Sequence, residues 1–191
     1  MMIENIFIDK TFEYIDYSIH GLPPGDYENC MFKDCIFANV SLNGSKFSDC
    51  VFKTCNLSSA KLDNTALREI HFKECKLLGL HFENCNQFLF SVTFDHCTLN
   101  LSSFFNQNIK KCSFRNCSLI EVDFTQADLT ALVFDQCDFS LAIFDQTIIE
   151  KADFRTSFNY VINIEINRIK KAKFSKEGLI GLLQKYDICI D

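Results

Sequence analysis

Large apolar residues recur at every fifth position of this 191-residue chain, and at every twentieth the residue is phenylalanine: Phe12, Phe32, Phe52 and Phe72, then Phe94, Phe114, Phe134, Phe154 and Phe174. A short fixed period marks a chain that buries its core by stacking copies of one small unit. The centres of the units fall at 12, 17, 22 and onward to Phe82, and again at 94, 99, 104 and onward to Phe174, so a slip of two residues separates two unbroken runs. Of the 32 centres, only Asn159 is neither apolar nor aromatic.

A period of five matches neither a strand nor a helix, so no ordinary amphipathic element keeps such a column facing inward. A square coil does. If each pentad forms one side and four sides close a coil, residues twenty apart lie above one another, and the phenylalanines form one internal stack. With strands about 4.8 Å apart, the eight coils between Phe12 and Phe174 make a rod on the order of 40 Å long.

The position two residues before each centre is read as a second inward column of small or apolar residues, such as Val40, Ser45, Ala60, Thr65, Ile70, Ala127, Ala142, Ala152 and Ala172. Ten of the eleven cysteines occupy it: Cys30, Cys35, Cys50, Cys55, Cys75, Cys85, Cys97, Cys112, Cys117 and Cys137. From residue 12 to residue 174 neither column holds an Asp, Glu, Lys or Arg, and an unpaired charge is costly to bury. The other three positions of each pentad are therefore expected to face water.

Segments such as Ala127-Asp128-Leu129-Thr130-Ala131 and Ala152-Asp153-Phe154-Arg155-Thr156 resemble the pentapeptide-repeat family. The resemblance covers roughly residues 12 to 174. It implies an all-β fold, a right-handed quadrilateral parallel β-helix with a filled interior. The expected organisation is a repeat domain over residues 1–174, interrupted by the two-residue insertion near 85–93, followed by a short helical cap and dimerisation segment over 175–191.

The remaining composition fits a cytoplasmic, single-domain protein without cofactor. The odd cysteine count suits no secreted disulfide scaffold. The start, Met1-Met2-Ile3-Glu4-Asn5, lacks the pattern of a secretory leader, and no apolar run reaches the length of a membrane span. Cysteine pairs such as Cys30 and Cys35 are five apart, whereas zinc sites usually pair cysteines two to four apart, so reduced thiols acting as packing groups are expected rather than a metal site. His71, His81, His20 and His96 form no cluster in the square-coil register. Motifs of catalysis are missing, and a filled rod offers no cavity in which to tune a carboxylate. The protein is accordingly read as no enzyme, with its function on the outer surface.

That surface is unevenly charged. Between residues 121 and 153 lie Glu121, Asp123, Asp128, Asp135, Asp138, Asp145, Glu150 and Asp153, opposed only by Lys151. All eight acids take outward positions, spread over the four sides. The segment occupies about 8 Å of rod, close to one charge per 1.1 Å, against about one per 1.7 Å of axis in B-form DNA. Imitation of DNA and an ordinary solvated surface both remain readings of that number.

The C-terminal residues Asn159-Tyr160, Ile164, Asn167-Arg168-Ile169-Lys170, Ala172-Lys173-Phe174-Ser175 and Leu179-Ile180-Gly181-Leu182-Leu183 resemble the closing segment of the topoisomerase-protecting subfamily. The subfamily implies resistance to poisons such as quinolones, albicidin and microcin B17. It also implies a homodimer joined through its C-terminus and a DNA-like rod that engages DNA gyrase or topoisomerase IV, with no nucleic acid and no membrane bound directly. Read physically, Ser175 suits a helix N-cap, and Leu179, Ile180, Leu182, Leu183 and Tyr186 give a short helix an apolar face, with Ile188, Cys189 and Ile190 as a final strand. Covering the last coil and joining two copies are compatible tasks for this segment. Gly21-Leu22-Pro23-Pro24-Gly25 reads as a stiff turn. In the slip, Phe88 and Phe90 fall outside the inward register, and the bulge either contacts a partner or folds back onto the rod. The alternative to a topoisomerase protector is a structural or adaptor rod that presents side chains to an unrelated protein, with an enzymatic surface site as a third reading.

Overall fold

The computed structural model describes residues 5–189. The pentads close into a four-sided parallel solenoid, whose faces are numbered here in the order the chain visits them after Phe12. The first face carries the phenylalanine centres. The second carries Tyr17, Phe37, Leu57, Leu77, Leu99, Leu119 and Phe139; the third Leu22, Leu42, Leu62, Phe82, Phe104, Phe124 and Phe144; the fourth Tyr27, Phe47, Leu67, Ile109, Leu129 and Ile149. All of these are buried, as are the first-face phenylalanines between the half-buried Phe12 and Phe174 at its ends.

Among the described residues regular strands occur on two adjacent faces only. On the fourth face β1 (Asn5–Ile8), β3 (Gly25–Glu28), β5 (Lys46–Ser48) and β7 (Ala66–Arg68) pair in that order. On the first face β2 (Thr11–Glu13), β4 (Met31–Lys33), β6 (Val51–Lys53), β8 (Ile70–Lys73), β9 (Val92–Asp95), β10 (Ser113–Arg115) and β11 (Phe134–Asp135) form a parallel ladder. Elsewhere single parallel bridges hold the coils, such as Thr98 to Ser118 to Asp138 to Phe158 on the second face and Ser103 to Asp123 to Ile143 on the third. The nine phenylalanines of the first face form one continuous column, with successive ring centroids 4.7–5.7 Å apart.

The two kinds of face differ in how a centre's carbonyl finds a donor. At most corners of the bridged faces the chain turns at once, and the amide three residues on donates back, as Val40 does to Phe37 at 3.0 Å; at Leu77 and Phe144 the Ser102 hydroxyl and the Asn167 amide donate instead. Most of these turns put the residue two after the centre in the left-handed region, a conformation uncommon outside glycine; Leu101, Glu121 and Leu141 have φ of 62°, 56° and 59°. Where a strand precedes the corner that return bond is missing, and a side chain supplies the donor instead. Cys35, Cys55, Cys75, Cys97 and Cys117 donate their S–H groups to the carbonyls of Phe12, Phe32, Phe52, Phe72 and Phe94, and the Ser157 hydroxyl donates to Phe134. The cysteines are thus hydrogen-bond donors at the corners after strands, beyond the packing role expected of them. Burial pushes Cys50 and Cys112 up to about 12, while the hydrogen bond between the stacked Cys75 and Cys55 sulfurs raises Cys75 and lowers Cys55.

The second inward column also accepts larger polar groups. Gln107 and Asn167 are both buried there, the Asn167 amide donating to the Phe144 carbonyl at 3.0 Å. In the penultimate coil Asn159 leaves the centre position, turning outward with φ 60° to donate to Asp138, and Tyr160 takes the inward place. The turn around Gly21–Gly25 is preceded by one helical turn, α1 (Tyr17–His20), capped by the Asp16 side chain.

Candidate partner-binding surface

The eight acidic residues are distributed two to a face: Asp135 and Asp153 on the first, Glu121 and Asp138 on the second, Asp123 and Asp145 on the third, Asp128 and Glu150 on the fourth. Their surroundings differ sharply. Asp128 pairs with Lys110 at 2.6 Å, Glu150 with Arg168 at 2.8 Å, and Asp153 with Arg155 at 2.8 Å and Lys173 at 3.6 Å. Three of these cations come from coils above or below, so the charge counted along the sequence overstates the charge in space. Glu121, Asp123, Asp135, Asp138 and Asp145 make no ion pair among the described residues.

Several acids also build turns. Asp123, Asp128, Asp138 and Asp153 each accept from the amide two residues on, at 2.8–3.2 Å. Asp153 is only 9% exposed, a departure from the free outward position expected of it, because Arg155 and Lys173 fold over it. The hydrogen bonds from Arg155 hold its carboxyl at about 2, below the usual carboxylate range. At Asp128 burial opposes ionisation, but hydrogen bonds from Lys110 and Thr130 outweigh it and lower the pKa.

Between residues 93 and 176 every Lys and Arg lies on the first and fourth faces, from Lys110, Lys111 and Arg115 to Lys173 and Lys176. Over the same span the second and third faces carry Glu121, Asp123, Asp138, Asp145 and Glu165 and not one Lys, Arg or His. Of these five only Glu165 is ion-paired, to Lys185 of the C-terminal segment. Four of the five unpaired acids of the acidic segment are therefore gathered on two adjacent faces, with Asp135 on the first face as the fifth.

The bulge at the slip separates its two phenylalanines. Phe88 is 67% exposed and lies under the Arg68 guanidinium, 5.4 Å from the ring centroid. Phe90 turns inward and packs edge-on against Phe82 at 6.3 Å, restoring the apolar filling that the two extra residues interrupt. Phe90 is thus core and no contact residue; Phe88 and its neighbour Leu89 form the exposed part.

At the C-terminus the helix starts later than expected. Ser175 accepts from the Gly178 amide at 3.0 Å, and α2 covers Leu179–Leu183, followed by a 3₁₀ turn at Gln184–Tyr186. Leu182 is buried over the last coil and Leu183 half-buried, whereas Leu179, Ile180, Tyr186 and Ile188 are exposed. Ile188 and Cys189 belong to no strand, and Ile190 lies outside the described residues. A side chain added at Gly178 or Gly181 would collide with Tyr160, which is why the helix approaches only with glycines there. Glu165 accepts from both Lys185 and Tyr186 and ties the segment down.

A shallow groove on the first face is floored by Phe72 and Phe114 and edged by Lys73, Asp95, Arg115 and Asp135. Its polar groups serve the ladder itself, Asp95 holding Arg115 in a two-pronged pair at 2.8 and 2.9 Å. No group of three potential metal ligands lies together among the described residues, and none of their helices is long and apolar enough to cross a membrane.

A solenoid of stacked pentads with a filled aromatic spine defines the pentapeptide-repeat class, and the chain belongs to that family: a pentapeptide repeat region is matched over residues 26–104 and pentapeptide repeats over 97–131 and 123–157. The fold is similar to that of two trypsin-treated variants of QnrB1, a plasmid-mediated fluoroquinolone resistance protein. One variant is 16% identical with a TM-score of 0.65, covering 98% of this chain and 100% of that one; the other is 18% identical with a TM-score of 0.57, covering 97% and 99%. The fold is comparably similar to that of HetL, a pentapeptide repeat protein involved in heterocyst differentiation regulation from the cyanobacterium Nostoc sp. strain PCC 7120, at 15% identity and TM-score 0.63 over 88% and 86% of the two chains. No curated protein sequence matches the chain.

Proposed function

We propose that the protein is a non-catalytic binding rod that engages a type II topoisomerase, DNA gyrase or topoisomerase IV, and shields it from poisons that trap the enzyme on DNA. It works in the cytoplasm as a homodimer joined through the exposed residues of the C-terminal segment. The observation that carries this reading is the cation-free pair of faces between residues 93 and 176, a strip of uncompensated carboxylates suited to a surface that normally receives phosphates. The fold likeness to a fluoroquinolone resistance protein along the whole chain supports it.

The strip differs from duplex DNA in one respect: the opposite two faces are rich in Lys and Arg, so the imitation is one-sided. The test is a gyrase supercoiling assay with a quinolone, albicidin or microcin B17 and rising amounts of the protein. Restored supercoiling and salt-sensitive binding are expected, and a lack of both at every concentration overturns the proposal.

A second reading is an adaptor that holds an unrelated protein. The presence of the same fold in a differentiation regulator, together with cations balancing the acids on opposite faces, favours it. Affinity capture that recovers one stoichiometric partner and no topoisomerase subunit would decide for it.

A further inference from the structure

Exposed apolar side chains follow the same division as the charge. Between residues 93 and 176 the exposed large hydrophobics are Leu101, Phe105, Leu141, Ile143, Phe158, Val161 and Ile166 on the second and third faces, and Val133 alone elsewhere. Two of them are costly twice over. Leu141 is 74% and Leu101 59% exposed, and both hold left-handed backbone, which a leucine adopts at a penalty and an asparagine or glycine would adopt more easily. Neither leucine belongs to the packed core.

We infer that the edge between the second and third faces is a docking strip for one basic amphipathic helix of a partner protein, with Leu101, Leu141 and Ile143 as its apolar anchors. Leu101 and Leu141 occupy the same corner two coils apart, about 9.6 Å at the spacing of neighbouring strands. On a helix, residues seven apart on one stripe are separated by about 10.5 Å. A helix lying along the rod therefore seats its apolar stripe on both leucines. Glu121 occupies the same corner between them, and Asp123, Asp138 and Asp145 flank it without ion pairs, so the helix that fits carries Lys or Arg beside its apolar stripe. Among the described residues a second copy of this chain offers no such helix: α1 spans only Tyr17–His20, and α2 spans only Leu179–Leu183 and carries no basic residue.

The inference rests on the reading of the rod as a partner-binding protein, and its primary probe needs no topoisomerase. The probe is a fluorescein-labelled amphipathic peptide with leucines on one face and lysines on the other, titrated with the full-length protein and followed by anisotropy. Oligolysine of equal length and a short DNA duplex serve as the comparison ligands. Saturable binding of the amphipathic peptide is expected, with oligolysine at least about tenfold weaker and no binding of the duplex. Leu101→Asn with Leu141→Asn is expected to weaken the peptide at least about tenfold, as is Glu121→Gln with Asp145→Asn, whereas Val133→Ser with Asp135→Asn on the first face leaves it unchanged. Asparagine suits left-handed backbone, so the double asparagine variant folds, and a thermal melt confirms it.

Equal binding of oligolysine, or equal loss in the first-face variant, overturns the strip. Self-association of the wild type that the asparagine variant abolishes assigns the strip to a second copy and overturns it as well. If gyrase binding persists in the asparagine variant at wild-type affinity, the strip is wrong while the proposed function stands.

Discussion

The amide of Ile162 donates to the carbonyl of Gly181 at 3.0 Å, joining the last coil to α2 at the point where the helix passes closest to the rod. The same glycine faces the Tyr160 carbonyl with no room for a side chain. Gly181→Ala is therefore expected to lift the cap from Tyr160 and Ile162 and to cost on the order of 2–3 kcal/mol, the scale of an overpacked contact. A thermal melt measures the loss. If the exposed residues Leu179, Ile180, Tyr186 and Ile188 join two copies, the mass in solution falls to that of a monomer in the same variant.

The cysteine column gives a second expectation. Cys75 supplies the S–H donor for the buried Phe52 carbonyl at 3.2 Å, and its sulfur accepts from the Cys55 amide. Replacing it with alanine leaves two buried backbone groups without partners, at a cost of about 1–3 kcal/mol, whereas serine keeps a donor and an acceptor and loses less. The control is Ala142, which follows a turn and needs no donor. Urea melts of Cys75→Ala and Cys75→Ser should differ in midpoint and not in slope; identical midpoints would assign the thiols to packing alone.

Leu141 is expected to behave opposite to a typical surface residue. Leu141→Asn removes an exposed aliphatic group from left-handed backbone and should raise stability by about 0.5–1 kcal/mol. A rise in melting temperature checks it, and a fall would mean that the leucine is held by contacts within the rod.

Acid should loosen the C-terminal half through Asp153. Its pKa is held at about 2, below the ordinary 3.8, by Arg155. A depressed carboxylate contributes stability that is present above its unfolded pKa and lost as pH falls through its folded one, so the loss runs from about pH 4 down to about pH 2. The exposed arginine is screened, which limits the contribution to about 1 kcal/mol. Asp153→Asn should lower stability at pH 7 by that amount and flatten the pH dependence below about pH 4. An unchanged acid limb in chemical denaturation would contradict the assignment.

The spine of the rod is legible in the sequence because its signal is one-dimensional: a buried ring every twenty residues admits few other folds, and Phe12 to Phe174 stack as the period requires. Phe90 is harder to read. Sequence numbering places it out of register beside Phe88, and only the geometry of the slip decides which of the two fills the interior. Asn159 yields its place to Tyr160, which the cap meets at Gly178 and Gly181, a demand made by residues some twenty positions away. The cysteines carry a further signal, for those at 35, 55, 75, 97 and 117 sit at the corners after strands, while alanines such as Ala60 and Ala142 follow turns. The acidic segment misleads in a similar way. Lys110, Arg168 and Lys173 lie outside residues 121–153 along the chain and directly above or below their partners in space.

The division of charge across the section gives the C-terminal half a transverse electric moment. In the field of a charged macromolecule such a body experiences a torque about its long axis, and within a Debye length, about 8 Å at physiological salt, it rolls before it touches. A rod of this kind that meets a charged partner would therefore arrive already oriented, and added salt would blunt that alignment sooner than it breaks a seated complex.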